Sequence, residues 1–121
     1  MPPIIHIKRV YESSAKSDGV RILVDRLWPR GIRKEDARLE EWAKDIAPST
    51  ELREWYGHDP ERWPEFQKKY KGELKRNEAI TAFIEKYQQE RILTLVYAGK
   101  DGEHTHALVL KDFLDHEFAH P

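Results

Sequence analysis

Asp25-Arg26 and Arg30-Gly31 bracket the stiff pair Trp28-Pro29, and this polar corner is the sharpest chemical feature of the chain. Two guanidinium groups held by a rigid loop present forked donors, a geometry that suits a phosphate, a carboxylate or a nucleotide group. Between residues 21 and 34 the cations Arg21, Arg26, Arg30, Arg33 and Lys34 face a single acid, Asp25. Asp25 has the chemistry of a general base or of an orienting carboxylate. The plainer alternative is structural: Asp25 paired with an arginine, and Arg26 capping a carbonyl to hold the loop.

A second polar group, Lys100, Asp101, His104 and His106, follows the apolar run Ile92–Ala98. His106 is an acid/base or hydrogen-bond candidate, set against a buried structural histidine. His104-x-His106 has the alternation of a metal pair, but no third ligand stands at a fixed spacing, so no metal site is expected. Lys44, beside Pro48 and Ser49, is a further cation that could reach the same ligand. Ser49 reads as a helix cap, since no Gly-x-Ser-x-Gly elbow surrounds it.

The elements that must position these groups follow from pattern. Ile4, Ile5, Ile7, Val10 and Tyr11 predict a first strand, and Val20–Asp25 and Ile92–Ala98 predict strands covered on both faces. Pro29 and Gly31 forbid regular structure, which makes Arg26–Gly31 a shaped loop. A helical turn is expected within Ile32–Arg38, and a short strand through Trp42. Ser49 and Gly57 bound one helix, Pro64 to about Arg76 another, and Asn77 caps a third with Ile80, Phe83, Ile84 and Tyr87 on one face. Thr105–Phe118 completes the set. Strands separated by helices imply crossovers, hence an α/β domain: a small, largely parallel sheet of three to four strands flanked by helices, three-layered and Rossmann-like. Ligands of such sheets bind outside the carboxyl ends of the strands. If the strands ending at Val24 and Ala98 are parallel neighbours, Asp25, Arg26 and Arg30 converge with Lys100 and His106. The four tryptophans, Trp28, Trp42, Trp55 and Trp63, are expected in the core or at a subunit interface rather than as platforms for bases.

Bulk composition narrows the function classes. A length of 121 residues is that of a single domain, 1–121, with no linker or repeat. With no cysteine, a disulfide framework, a thiolate zinc site and a cysteine nucleophile are all ruled out. No signal peptide or membrane span is visible, so no membrane partner is expected and the default compartment is the cytoplasm. Lys plus Arg number 21 against 22 acids, a formal charge of −1, which makes a nucleic-acid partner unlikely and fits a small anionic ligand better.

Three segments carry a family resemblance: Leu23-Val24-Asp25-Arg26-Leu27-Trp28-Pro29-Arg30-Gly31; Glu41-Trp42-Ala43-Lys44 with Pro48-Ser49-Thr50-Glu51-Leu52-Arg53; and Thr94–Ala98 through Lys100 to His106-Ala107-Leu108-Val109-Leu110. Together they closely resemble the YeaO-like family, a branch of the domain of unknown function 488 superfamily. The resemblance implies a small α/β domain. The wider superfamily typically carries a Cys-His-Arg triplet near the last helix. Here that place reads Thr105-His106-Ala107, matching the histidine alone. The resemblance therefore implies a branch that has lost catalysis and kept binding. Two function classes follow: a domain binding a small phosphate-bearing anion through Arg26, Arg30, Lys44, Lys100 and His106, or a hydrolase or transferase using Asp25 and His106 as acid/base partners.

Overall fold

A computed structural model describes residues 1–120. Its framework is a four-stranded, all-parallel sheet in the order β1-β4-β2-β3, with β1 at Ile4–Arg9, β2 at Val20–Leu23, β3 at Glu41–Trp42 and β4 at Ile92–Tyr97. The expected α/β class and parallel sheet are present. The last strand in sequence, β4, is central: Leu93 pairs with Ile5 on one side and Val20 on the other, and Leu95 with Ile7 and Ile22. Its near-continuous apolar run, ILTLVY, suits a strand buried on both faces.

Alternation along the strands sorts their side chains into two cores. Ile5, Ile22, Val24, Leu93, Leu95 and Tyr97 face the helices α2 (Thr50–Tyr56), α3 (Trp63–Lys75), α4 (Glu78–Tyr87) and α5 (His106–Ala119) in the main cluster. Val10, Leu23 and Val96 face the other way, under a thinner layer of loops and the one-turn helix α1 (Lys34–Ala37), with Trp28, Ile32, Leu39 and Trp42 packed on them. The sheet thus lies between two unequal layers. The thin side also buries charge: Arg21 donates to Asp18 at 2.6 Å and to the Ala37 carbonyl at 3.0 Å, and Lys8 reaches Asp18 at 3.1 Å.

The helices begin and end where capping chemistry dictates. Ser49, Asn77 and Thr105 accept from the backbone N–H groups of Leu52, Ala79 and Ala107. Gly57 closes α2 at φ 54°, left-handed backbone that suits glycine. Phe66, Tyr70 and Leu74 form the buried stripe of α3. Each such residue contributes roughly 1.5–3 kcal/mol by burial. The fully buried Tyr70 keeps its hydroxyl satisfied by donating to the Ile46 carbonyl at 2.6 Å.

Boundaries differ from the sequence reading in small, explicable ways. Regular pairing of β2 stops at Leu23, because Val24 still donates to the Val96 carbonyl while Asp25 turns away to serve Ala98. α3 starts at Trp63, one residue before Pro64. A proline at the second helical position lacks only an N–H that would have had no partner.

Candidate functional site

Because β2 and β4 are parallel neighbours, the loops leaving their carboxyl ends face each other across a cleft of about 900 Å³. The end of β1 and the loop after it, Arg53 and Tyr56 of α2, and the turn holding His58 complete its wall. Asp25, Arg26, Arg30, Lys100 and His106 all line it. Lys44 does not. Its ammonium sits over the Trp42 ring, 5.0 Å from the centroid, and the side chain is exposed to solvent, so nearness to Pro48 in sequence did not bring it to the cleft.

The floor of the cleft is a latch between the β2 and β4 loops. Asp25 Oδ2 accepts from the Ala98 N–H at 3.0 Å. His106, the first residue of α5, donates from Nε2 to the Val24 carbonyl at 3.0 Å. Asp25 Oδ1 lies 3.1 Å from the same nitrogen, whose proton is directed at Val24, and so this oxygen is buried without a hydrogen bond. Arg26 is similarly engaged: Nε donates to the Pro48 carbonyl at 2.9 Å and a terminal nitrogen to Ala47 at 3.2 Å. Arg26 thus takes the carbonyl-capping role set out above and ties the corner to the loop preceding α2, whereas Asp25 holds the Ala98 N–H and pairs with no arginine.

The corner itself is braced from below. Trp28 Nε1 donates to the Ile32 carbonyl and Trp42 Nε1 to that of Asp25, both at 2.7 Å, and the two indoles meet edge to face at 5.4 Å. Gly31 turns the chain at φ 79°. From above, Tyr11 donates its hydroxyl to the Arg30 carbonyl at 2.9 Å, while Arg9 lies over the Tyr11 ring and donates to the Ala98 and Gly99 carbonyls. All four tryptophans pack on core clusters, Trp28 also lining the cleft.

The cleft wall includes residues that the sequence reading did not single out: Arg9, Tyr11, Arg53, Tyr56 and His58. For Arg9 and Tyr11 a signal existed, since the carboxyl-end rule applies to β1 as much as to β2 and β4. Arg53 stands on α2, a helix the Ser49 cap made legible, but no local signal turned that face toward the cleft. Arg30, Arg53 and Lys100 have no carboxylate or carbonyl partner for their charged groups among the described residues and are exposed. The other acid of the wall, Asp101, is bonded to His104 Nδ1 at 2.7 Å, and that bond, with the Glu103 N–H, holds its carboxyl below the usual range. Burial, reinforced by the charges of Asp101 and Asp59, raises the Tyr56 hydroxyl above its usual value, so it stands as a donor, to the His104 carbonyl at 3.1 Å. His104 and His106 diverge to different partners, and no group of three metal-ligating side chains exists among the described residues. Among the described residues no helix is long and apolar enough to cross a membrane.

Fold and cleft together define a small parallel α/β domain with an arginine-rich crevice at the carboxyl edge of its sheet. The chain belongs to the family described as the inactive DUF488-N3 subclade, whose model matches residues 4–121. It is 46% identical over 110 residues to the uncharacterized protein YeaO of Escherichia coli, covering 91% of this chain and 96% of that one. It is likewise 46% identical over 111 residues to an uncharacterized protein of Mycobacterium tuberculosis, covering 92% and 93%. No solved structure matches the chain.

Proposed function

We propose that this chain is a non-catalytic binding domain whose ligand is a small, phosphate-bearing anion held in the cleft beyond β2 and β4. The observation that carries the reading is the convergence of Arg30, Arg53 and Lys100, charged groups without partners, on one concave surface. Cations left unpaired around a cleft raise the local concentration of anions and supply charge-assisted bonds once one arrives. Arg26 contributes its fixed positive charge while its bonds to Ala47 and Pro48 hold it in place. The family description, inactive, agrees with a site that binds without turning over.

The rival reading, a hydrolase or transferase, draws on the buried Asp25 Oδ1 beside His106. It is the weaker of the two. His106 Nε2 is already committed to the Val24 carbonyl and Asp25 Oδ2 to Ala98, so the pair does the work of a latch.

Phosphate or sulfate should raise the melting temperature by mass action, by the equivalent of about 2.7 kcal/mol at a hundredfold excess over Kd. Arg30→Ala should remove most of that gain and leave the melting point of the free protein unchanged, because the side chain is exposed and unbonded. Equal stabilisation of variant and parent would mean a nonspecific salt effect. Turnover of any phosphate ester by the parent, abolished by His106→Ala, would favour the enzyme.

A further inference from the structure

The cleft has two unlike walls, and only one of them is explained by an anion. Among the described residues the large apolar side chains left exposed are Met1 and Ile4 at the start of the chain, and Tyr11 and Leu27. Both of the latter line the cleft, where they continue into Trp28 and Pro29. Exposed apolar side chains gathered at a concave site, rather than scattered, mark a surface that a ligand covers. A volume of about 900 Å³ also far exceeds what a lone phosphate needs and falls in the range of sites for drug-sized molecules.

Tyr11 is built as a platform. Its hydroxyl is tied to the Arg30 carbonyl, and the Arg9 guanidinium, itself pinned by two carbonyls, lies 4.9 Å from the ring centroid. One face of the ring is thus occupied by a cation, and no aromatic ring of the described residues stacks on the other. The tie to Arg30 places this platform next to the unpaired cations. Resting on the anion reading above, we infer that the ligand is a phosphate monoester with a flat aromatic body, a mononucleotide or a compound of that shape. Its ring stacks on Tyr11 against Leu27, and its phosphate meets Arg30, Arg53 and Lys100. A rigid aromatic surface needs no rearrangement to accept the ring, so this wall adds affinity without an ordering cost.

The test compares inorganic phosphate, ribose 5-phosphate, adenosine and the 5′-monophosphates of adenosine and uridine by calorimetric titration. The monophosphates should bind about 5- to 150-fold more tightly than ribose 5-phosphate, the range that one base stacked on an aromatic side chain supplies. Leu27→Ser should erode that advantage and leave ribose 5-phosphate binding within about twofold of the parent, whereas Tyr11→Ala should erode it and weaken ribose 5-phosphate as well. Tyr11→Ala releases the Arg30 corner as well, whereas Leu27 makes no such tie, so Leu27→Ser keeps the test clean if the first variant misfolds. Equal affinity for the monophosphates and ribose 5-phosphate overturns the aromatic inference while sparing the anion site. Failure of phosphate and ribose 5-phosphate to bind at all defeats the anion site itself. A single-stranded oligonucleotide that binds more tightly than the monophosphate reassigns the wall to a nucleic-acid strand and overturns the small-ligand inference.

Discussion

Asp25 and His106 carry side chains of catalytic type and spend them on backbone. Asp25 Oδ2 holds the Ala98 N–H and His106 Nε2 holds the Val24 carbonyl, so together they join two loops that no strand pairing reaches. Removing either leaves a half-buried backbone group without its partner, a loss of about 1–3 kcal/mol. Asp25→Ala and His106→Ala should each lower stability in urea denaturation by that amount. Because the two side chains lie 3.1 Å apart, the double variant should lose less than the sum, with a coupling on the order of 1 kcal/mol. Strict additivity would show that the two bonds act independently and that the latch is not one unit.

Glycine placement shows the same economy among the elements. Gly19 joins the turn at Lys16–Asp18 to β2 at φ 62°, and a Cβ there would stand 2.4 Å from the Ile92 carbonyl oxygen and 2.8 Å from its Cβ. Gly31 has a similar backbone, φ 79°, but opens onto empty space. Gly31→Ala should therefore cost only the left-handed strain, about 1–2 kcal/mol. Gly19→Ala should cost clearly more, since it must also push back the first residue of β4. Paired urea denaturations decide it. Equal losses would mean that strain alone governs both sites.

Helices were legible in the sequence because their signals are local: Ser49, Asn77 and Gly57 cap by chemistry confined to a few neighbours. The polar corner after β2 was legible for a related reason, as Pro29 and Gly31 exclude regular structure. What lay beyond reach was set by neighbours distant in the chain. Lys44 was expected near the ligand, yet its ammonium lies over the ring of Trp42, and that ring is itself fixed by a bond to the distant Asp25 carbonyl. For Arg9 and Tyr11 the carboxyl-end rule gave a signal, but which edge β1 occupies depends on its pairing with β4, a partnership spanning most of the chain.

For the whole molecule, the buried charges under the thin layer contribute to its response to acid. Burial on its own would raise the Asp18 carboxyl, but the Ala15 N–H together with Lys8 and Arg21 outweighs that and holds it below its ordinary 3.8. A carboxyl depressed in the folded state adds stability above its unfolded value, and that contribution fades as pH falls through the folded one. The loss thus falls below about pH 4. Asp18→Asn should flatten this acid limb and, by leaving Arg21 buried without its counter-ion, cost about 3–5 kcal/mol near neutrality. An unchanged acid limb in the variant would place the pH response elsewhere.

The central strand is also the one made late. β1 has β4 as its only partner, and β2 has otherwise just the two residue pairs of β3, so nearly all of the sheet waits for residues 92–97 to be synthesised. A chain that stops before β4 has the apolar stripes of α3 and α4 but no scaffold to lay them on, and isolated helices of that length are marginal in water. Contacts of such long sequence separation slow folding by loop-closure entropy, and they make completion of the sheet wait for β4. A chain halted after Tyr87 should stay open to protease, and one extended through α5 should become resistant in a single step.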